Sequence, residues 1–297
     1  MYCKYCGKEV KQDAKFCPYC SRELTQQKQN SGTAFYLLLA VTLLPTAIST
    51  LRSIGQPYSS SVQIIFSLVI AAIGAAALLL LCQAGKINPS RFRGVDTLIW
   101  MLWLFLPSLT NIAGSYFAYW CGQTDAIGSN LLLTADVIFG QLGGLWIWLE
   151  LIVLCMVRSG TLKVTVKNGV LVLGLLVIWS AALFMCREWI GRQMTGGIDE
   201  LLPYFMEGVS LYFFLLWLRR GVELGFVALY GADQLSPTIG VLMPVILNGL
   251  TILLMPVFLF TLHLGIRGLV MSRLAAYFLS GSALFLLRQK SSKQIKQ

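Results

Sequence analysis

Four cysteines near the start of the chain have the residue type and the spacing of a metal site. Cys3 and Cys6 are separated by two residues, Cys17 and Cys20 likewise, and ten residues lie between the two pairs. Each Cys-x2-Cys turn can direct two thiolates at one point, so two facing turns form a tetrahedral four-sulfur site that suits zinc. A fold of about thirty residues buries too little apolar surface to be stable alone, so the metal would supply its folding free energy.

The stretch "CKYCGKEV…FCPYC" resembles the short zinc-ribbon domain found at the N-terminus of many bacterial membrane proteins. The resemblance covers about residues 1–24 and includes the cysteine spacing and Gly7, whereas Ser21 stands where a second glycine is usual. It implies one structural zinc ion as cofactor and a role in protein contact. It implies nothing about the rest of the chain.

Other interpretations of the cysteine pairs remain open at this stage. A rubredoxin-like iron site has the same four ligands, and two disulfides would require an oxidising compartment. A catalytic zinc needs an open coordination position, which four cysteines close. Nucleic-acid binding is not expected, because three acidic side chains and the negative zinc–thiolate centre offset the six basic residues between Lys4 and Lys28.

The remainder of the chain is strongly apolar. Of 297 residues, 57% are hydrophobic and only 12% are charged, whereas soluble domains carry roughly 25% charged residues. Mean hydropathy is +0.72, and apolar stretches long enough to cross a bilayer recur along the chain. We therefore predict an all-α integral membrane helix bundle of about eight transmembrane helices, carrying a small N-terminal zinc ribbon and surrounded by lipid.

The apolar runs divide the chain into four regions. These are the ribbon at 1–24, a polar linker at 25–32, a transmembrane helical domain at 33–287 and a basic cytoplasmic tail at 288–297. The predicted spans are 33–51, 61–82, 95–120, 131–157, 169–186, 202–218, 237–262 and 267–287. Pro45, Pro107 and Pro256 are predicted to kink the first, third and seventh spans. Residues 219–234 either extend the sixth span or lie on the inner surface as an amphipathic helix, and we favour the surface position.

Basic residues between the predicted spans indicate the orientation. With the N-terminus inside, the connections and the tail on the cytoplasmic side carry Lys86, Arg91, Arg93, Arg158, Lys163, Lys167, Arg219, Arg220, Arg288, Lys290, Lys293 and Lys296. The opposite side receives Arg52, Arg187, Arg192 and Arg267. Because basic residues are retained in the cytoplasm, we predict a multi-pass cell-membrane protein with both termini cytoplasmic. The ribbon then lies where thiols stay reduced.

Polar residues inside the apolar spans are costly unless paired or hydrated, so each is a candidate functional residue. The candidates are Asp136, Glu150, Glu207, His263, Arg267, Arg273, Asn111 and Asn248. The ionisable candidates other than Glu150 are predicted to cluster towards the outer end. We favour ion pairs that hold helices together over a pocket for a small solute, an ion or a lipid head group. Glu150 lies deeper, and no cationic partner at its depth is evident.

The other four cysteines lie at the ends of predicted spans. Cys121 and Cys186 fall at outer ends, where either a disulfide or apolar packing is possible. Cys82 and Cys155 fall at inner ends and are predicted to be free thiols.

Two functional hypotheses follow, and an enzyme is not favoured. The chain lacks a His-Glu-x-x-His motif, a Gly-x-Ser-x-Gly motif and a phosphate-binding glycine loop, and it has a single histidine. We predict no catalytic residue, although a mechanism using carboxylates alone stays open. The favoured hypothesis is a membrane-embedded adaptor or regulator whose ribbon binds a cytosolic or membrane protein. The alternative is a transporter of a small solute, ion or lipid through the polar cluster.

Overall fold

A computed structural model of the chain describes residues 6, 8–9, 17–20, 32–54, 61–120, 144–194, 218–264 and 266–294. The described residues of the N-terminal module form turns and an isolated bridge at Glu9. From Thr33 onwards the described residues are mainly helical and none lies in a β-strand, in agreement with the predicted all-α class. The helices are α1 (Thr33–Ile54), α2 (Ser61–Gln83), α3 (Gly94–Trp120), α4 (Gly144–Ser159), α5 (Val166–Met185), α6 (Arg187–Met194), α7 (218–231), α8 (Pro237–Pro256) and α9 (Ile266–Gln294). A 3-10 turn at Pro89–Arg91 precedes α3, and a π-helical turn at Val257–Thr261 continues α8.

Most helices lie where the apolar runs predict them. The correspondence holds for α1, α2, α3, α5, α8 and α9, and α4 covers the described part of the fourth predicted span. Residues 131–143 and 202–217 lie outside the described residues. The last helix continues to Gln294, through residues that we assigned to a cytoplasmic tail. Its final stretch, "RQKSSKQ", contains neither glycine nor proline, so nothing in the local sequence ends the helix earlier.

The prolines have different consequences in different helices. Pro45 lies inside the continuous helix α1 and Pro107 inside the continuous helix α3. At Pro256 the α-helical register ends and the π-helical turn begins. Proline has no backbone N–H to donate and its ring crowds the preceding turn, so a change of hydrogen-bonding register at this residue is expected.

The helices pack in a connected series. α3 contacts α1 and α8, α8 contacts α9, and α2 contacts α1 and α4. The approach of α2 to α4 depends on a small residue, because a Cβ added at Gly74 would lie 2.2 Å from Cδ2 of Trp148. Close helix–helix approach at small residues is typical of bundles in membranes.

Two helical stretches of the described residues are long and apolar enough to cross a membrane, by length and composition. These are Gly94–Gly114 in α3 and Pro237–Thr261, which joins α8 to its π-helical turn. Three shorter helical stretches are also apolar, namely Thr33–Ile48, Ser67–Gln83 and Lys167–Trp179. Only 29% of the most apolar window of the first stretch and 33% of that of the second is buried inside the protein. Most of this apolar surface therefore faces outward.

Candidate metal centre and buried ion-pair network

Three of the four predicted zinc ligands converge in the described part of the N-terminal module. The Sγ atoms of Cys6, Cys17 and Cys20 all lie within 4.8 Å of one another. The Cys6 and Cys17 sulfurs are 3.5 Å apart, well beyond a disulfide bond of about 2.05 Å. Thiolates bound tetrahedrally at about 2.3 Å from zinc are about 3.8 Å apart, so this spacing fits a zinc ion. Cys3, the predicted fourth ligand, lies outside the described residues.

The cysteine cluster has one buried member and an exposed surface beside it. Cys17 is only 1% exposed, whereas Tyr19, two residues later, is 60% exposed. The Lys8 ammonium lies 4.7 Å from the centroid of the Tyr19 ring. A metal ion bound by Cys17 would therefore hold in place the adjacent exposed surface formed by the Tyr19 ring and the Lys8 ammonium.

The polar candidates from the predicted spans are distributed as follows. Asp136 and Glu207 lie outside the described residues, Asn111 lies in α3, and Arg267 lies in α9. His263 is exposed just after the π-helical turn, with a φ of 49°, and Arg273 is partly buried in α9. The predicted outer cluster therefore stays a prediction.

Asn248 joins two helices. It is buried in α8, where its Oδ1 accepts a hydrogen bond of 2.7 Å from the Thr110 hydroxyl of α3. Its Nδ2 donates to the carbonyl of Pro244 at 2.9 Å, an oxygen that lies one turn earlier in α8. Both ends of the amide are thus satisfied, and its role is to hold α3 against α8.

Glu150 has a cationic partner, which the sequence had not indicated. Nη1 of Arg220 in α7 donates to Glu150 Oε1 at 3.1 Å and to Glu223 Oε2 at 2.5 Å. Nε of Arg219 donates to Glu223 Oε1 at 2.6 Å. Two carboxylates and two guanidinium groups therefore form a neutral cluster between α4 and α7. Neutrality is what permits burial, because each isolated charge would cost several kcal/mol to remove from water.

A second buried cluster lies around Asp96. Asp96 is 1% exposed, and its Oδ1 accepts from Nη2 of Arg158 at 2.7 Å and from the Tyr230 hydroxyl at 2.6 Å. Its Oδ2 accepts from the backbone N–H of Arg93 at 2.7 Å, as the carboxylate of a capping box does at the start of a helix. Arg158 also pairs with Asp233. One carboxylate thus fixes the start of α3, the end of α4 and the end of α7.

The two clusters show that α4 and α7 run side by side in the same direction. Arg158 lies about 12 Å beyond Glu150 along α4, and Tyr230 lies about 15 Å beyond Arg220 along α7. Glu150 contacts Arg220, and Arg158 contacts Asp96 together with Tyr230. Arg220 therefore lies about three helical turns before the end of α7 that meets Arg158.

This arrangement corrects the predicted surface position of residues 219–234. Most side chains of α7 are buried inside the protein, including those of Val222, Leu224, Phe226, Val227, Leu229 and Tyr230. Arg219 and Arg220 resemble a cytoplasmic loop in the sequence, but Glu150 and Glu223 neutralise them within the bundle. Arg219 and Arg220 therefore no longer count among the basic residues that indicate the cytoplasmic side.

Several of the other basic connections meet at one end of the bundle. The Thr161 hydroxyl donates to the Lys86 carbonyl at 2.9 Å, and the Asn88 N–H donates to the Ser159 hydroxyl at 2.8 Å. The Thr97 hydroxyl donates to the carbonyl of Ala34 near the start of α1, at 3.0 Å. We call the end formed by residues 84–93 and 159–165 the basic end. The first helix after the ribbon begins at this end.

The described cysteines outside the ribbon carry free thiols. These are Cys82, Cys155 and Cys186. Cys155 is buried in α4, whereas Cys186 is exposed at the end of α5. Cys121 lies outside the described residues, so its pairing with Cys186 stays untested.

Comparison with known proteins defines the class of the N-terminal module. Residues 2–24 match the family of the zinc-ribbon domain. The chain therefore carries a zinc-ribbon domain at its N-terminus, in which Cys6, Cys17 and Cys20 are brought together. No curated protein and no solved structure matches the chain.

Proposed function

We propose that the chain is a multi-pass membrane protein that holds its zinc ribbon at the cytosolic face, where the ribbon binds a protein partner. In this proposal the ribbon contains one structural zinc ion with Cys3 as its fourth ligand, and both termini are cytoplasmic. The helices anchor the ribbon and carry no reaction. The protein is thus a membrane-embedded adaptor or regulator.

Outward-facing apolar surface supports the membrane location. The core helix of a soluble protein buries most of its apolar residues, whereas two thirds of the apolar windows of α3 and α8 are not buried. On α2, Ile65, Ile73 and Leu80 are each about three-fifths exposed, and on α5 Val170, Leu171 and Ile178 are exposed to a similar extent. Apolar surface of this extent requires lipid or protein to cover it.

The basic end supports the orientation. Lys86, Arg91 and Lys163 lie at one end of the described bundle, and α1 begins there directly after the ribbon and linker. Basic connections are retained on the cytoplasmic side. The ribbon would then face the reducing cytosol, where thiolates bind zinc rather than form disulfides.

The observation that carries the adaptor role is the closed packing around the buried charges. Each cluster pairs its carboxylates with guanidinium groups, and the cavity beside Asp96 has a volume of only about 10 Å³. That volume admits about one water molecule. A transporter needs a hydrated path through the bundle. In the transporter hypothesis that path passes Asp136 and Glu207, which lie outside the described residues.

A pull-down comparison of full-length variants tests the proposal. Cys17→Ser removes a zinc ligand, and Glu150→Gln alters the buried cluster while leaving the ribbon intact. We expect Cys17→Ser and deletion of residues 1–24 to lose the co-purifying partner, and Glu150→Gln to retain it. If Glu150→Gln abolishes the cellular function at normal expression and folding while the ribbon deletion does not, the adaptor proposal is wrong and transport is favoured.

A further inference from the structure

An open groove lies near the basic end, on the side of the bundle where α4, α5 and α7 meet. Its volume is about 390 Å³, which is within the range of about 300–1,000 Å³ that small-molecule sites occupy. The walls are apolar, with Val153 and Val157 from α4, Val172 from α5, and Leu224 and Leu229 from α7. An elongated apolar group would therefore find matching surface on three sides.

Glycines on two helices widen the groove. Gly221 and Gly225 of α7 and Gly169 of α5 contribute to its lining. A Cβ added at any of the three would have no heavy atom within 4 Å. The space at these positions is open rather than filled by a neighbouring side chain.

The polar lining is confined to the rim. Thr165 caps α5 by accepting from the Asn168 N–H at 3.2 Å, and Asn168 Nδ2 donates to the Lys163 carbonyl at 2.6 Å. Both polar side chains are thus engaged with the backbone. Lys163 and Arg288 also line the groove and are exposed, and the described residues supply neither with an acidic partner within 4.0 Å.

We propose that this groove binds an anionic phospholipid of the surrounding membrane, with an acyl chain against the valines and leucines and the phosphate beside Lys163 and Arg288. An apolar channel with two cations at its mouth complements a molecule that has a long hydrocarbon chain and a negative head group. Positively charged pockets between membrane helices on the cytoplasmic side bind anionic head groups in the same way. The site goes beyond the adaptor role but rests on the membrane location proposed above.

Lipid binding to the full-length protein in a neutral detergent tests the site. Native mass spectrometry would compare dioleoylphosphatidylglycerol, dioleoylphosphatidylcholine and inorganic phosphate as probes. We expect tight binding of phosphatidylglycerol, weaker binding of phosphatidylcholine and none of phosphate alone. Lys163→Gln and Arg288→Gln should each weaken phosphatidylglycerol binding about fivefold, because one basic residue near an anionic lipid surface contributes an affinity factor of about this size. Lys167→Gln, a basic residue of α5 that does not line the groove, should leave it unchanged.

A second pair of variants tests the acyl-chain site independently of charge. Gly225→Leu fills the groove with a side chain that meets no neighbour at its Cβ and should reduce binding of both lipids. Gly249→Leu, on α8, is equally unobstructed and should have no effect. If Gly225→Leu fails to fold, Gly169→Leu replaces it on the opposite wall.

Three results would overturn the lipid site. They are equal binding of the two lipids, unchanged binding in the double variant Lys163→Gln/Arg288→Gln, and unchanged binding when the groove is filled. If the full-length protein fractionates with membranes but binds no lipid, the lipid site is wrong and the membrane location stands. If the protein does not enter membranes, the proposed membrane location is wrong.

Discussion

Arg220 of α7 places its Nη1 3.1 Å from Oε1 of Glu150 on α4, and the two side chains are only 5% and 2% exposed. Neither residue is adjacent to a connection at the basic end. The pair lies inside the bundle, and Glu223 with Arg219 completes its charge balance. A contact of this kind defines which faces of α4 and α7 meet.

Loss of the arginine should be more damaging than loss of the acid. Arg220→Gln leaves Glu150 buried without its guanidinium, and removing one member of a buried pair costs about 3–5 kcal/mol. In Glu150→Gln, Arg220 retains Glu223, so we expect a smaller cost of roughly 1–3 kcal/mol. Chemical denaturation of the purified protein in detergent measures both values.

The exposed pair between Arg192 and Glu188 is the matched control for this comparison. Its atoms are 2.9 Å apart, but its side chains are 62% and 61% exposed, so Arg192→Gln should change stability by less than about 1 kcal/mol. Equal effects of Arg220→Gln and Arg192→Gln would contradict the buried cluster.

Tyr230 should contribute through its hydroxyl. The hydroxyl donates to Asp96 at 2.6 Å in a buried site, and hydrogen bonds to charged groups contribute about 1.5–3 kcal/mol. Tyr230→Phe should therefore lower the free energy of unfolding by that amount, whereas Tyr36→Phe, at a side chain 56% exposed, should leave it unchanged. In an Asp96→Asn background the effect of Tyr230→Phe should shrink, and strict additivity of the two substitutions would argue against the contact.

Gly74 should tolerate no side chain. Even a Cβ there would overlap the Trp148 ring, which is itself 4% exposed and enclosed. We expect Gly74→Leu to separate α2 from α4 and to destabilise the protein by roughly 3 kcal/mol or more. Gly249→Leu meets no neighbour at its Cβ and serves as the control. A Gly74→Leu variant as stable as the control would show that α2 and α4 do not pack here.

Much of the helical plan could be predicted from apolar runs, because helix length and composition depend on local sequence. The ribbon could likewise be predicted from cysteine spacing. The partner of Glu150 could not, since it depends on the alignment of α4 with α7. Two adjacent arginines followed by Gly221 favour a loop when considered alone.

The buried pair between Asp96 and Arg158 was missed for a related reason, because each residue lies at a helix end, where a charged side chain is ordinary. Such pairs could be found by a sequence signal in which one helix has an acidic residue in its first turn and another has an arginine in its last turn, where the two helices meet at the same end of the bundle.

Zinc binding should depend on the ribbon cysteines and not on the other thiols. Cys17→Ser removes the most buried ligand of the cluster, so the purified protein should contain less than stoichiometric zinc, whereas Cys82→Ser should retain about one ion per chain. Metal analysis measures the content, and a chelator should remove the ion while leaving the helical circular-dichroism signal nearly unchanged. Equal zinc in the two variants would contradict the assigned ligands.

The adaptor proposal requires the ribbon and the basic end to face the cytosol, and reporter fusions at the two chain ends of the full-length protein test this most directly. Green fluorescent protein folds in the cytosol, whereas alkaline phosphatase becomes active only after export. We predict fluorescence and no phosphatase activity at both ends in bacterial cells. Phosphatase activity at either end would contradict the account.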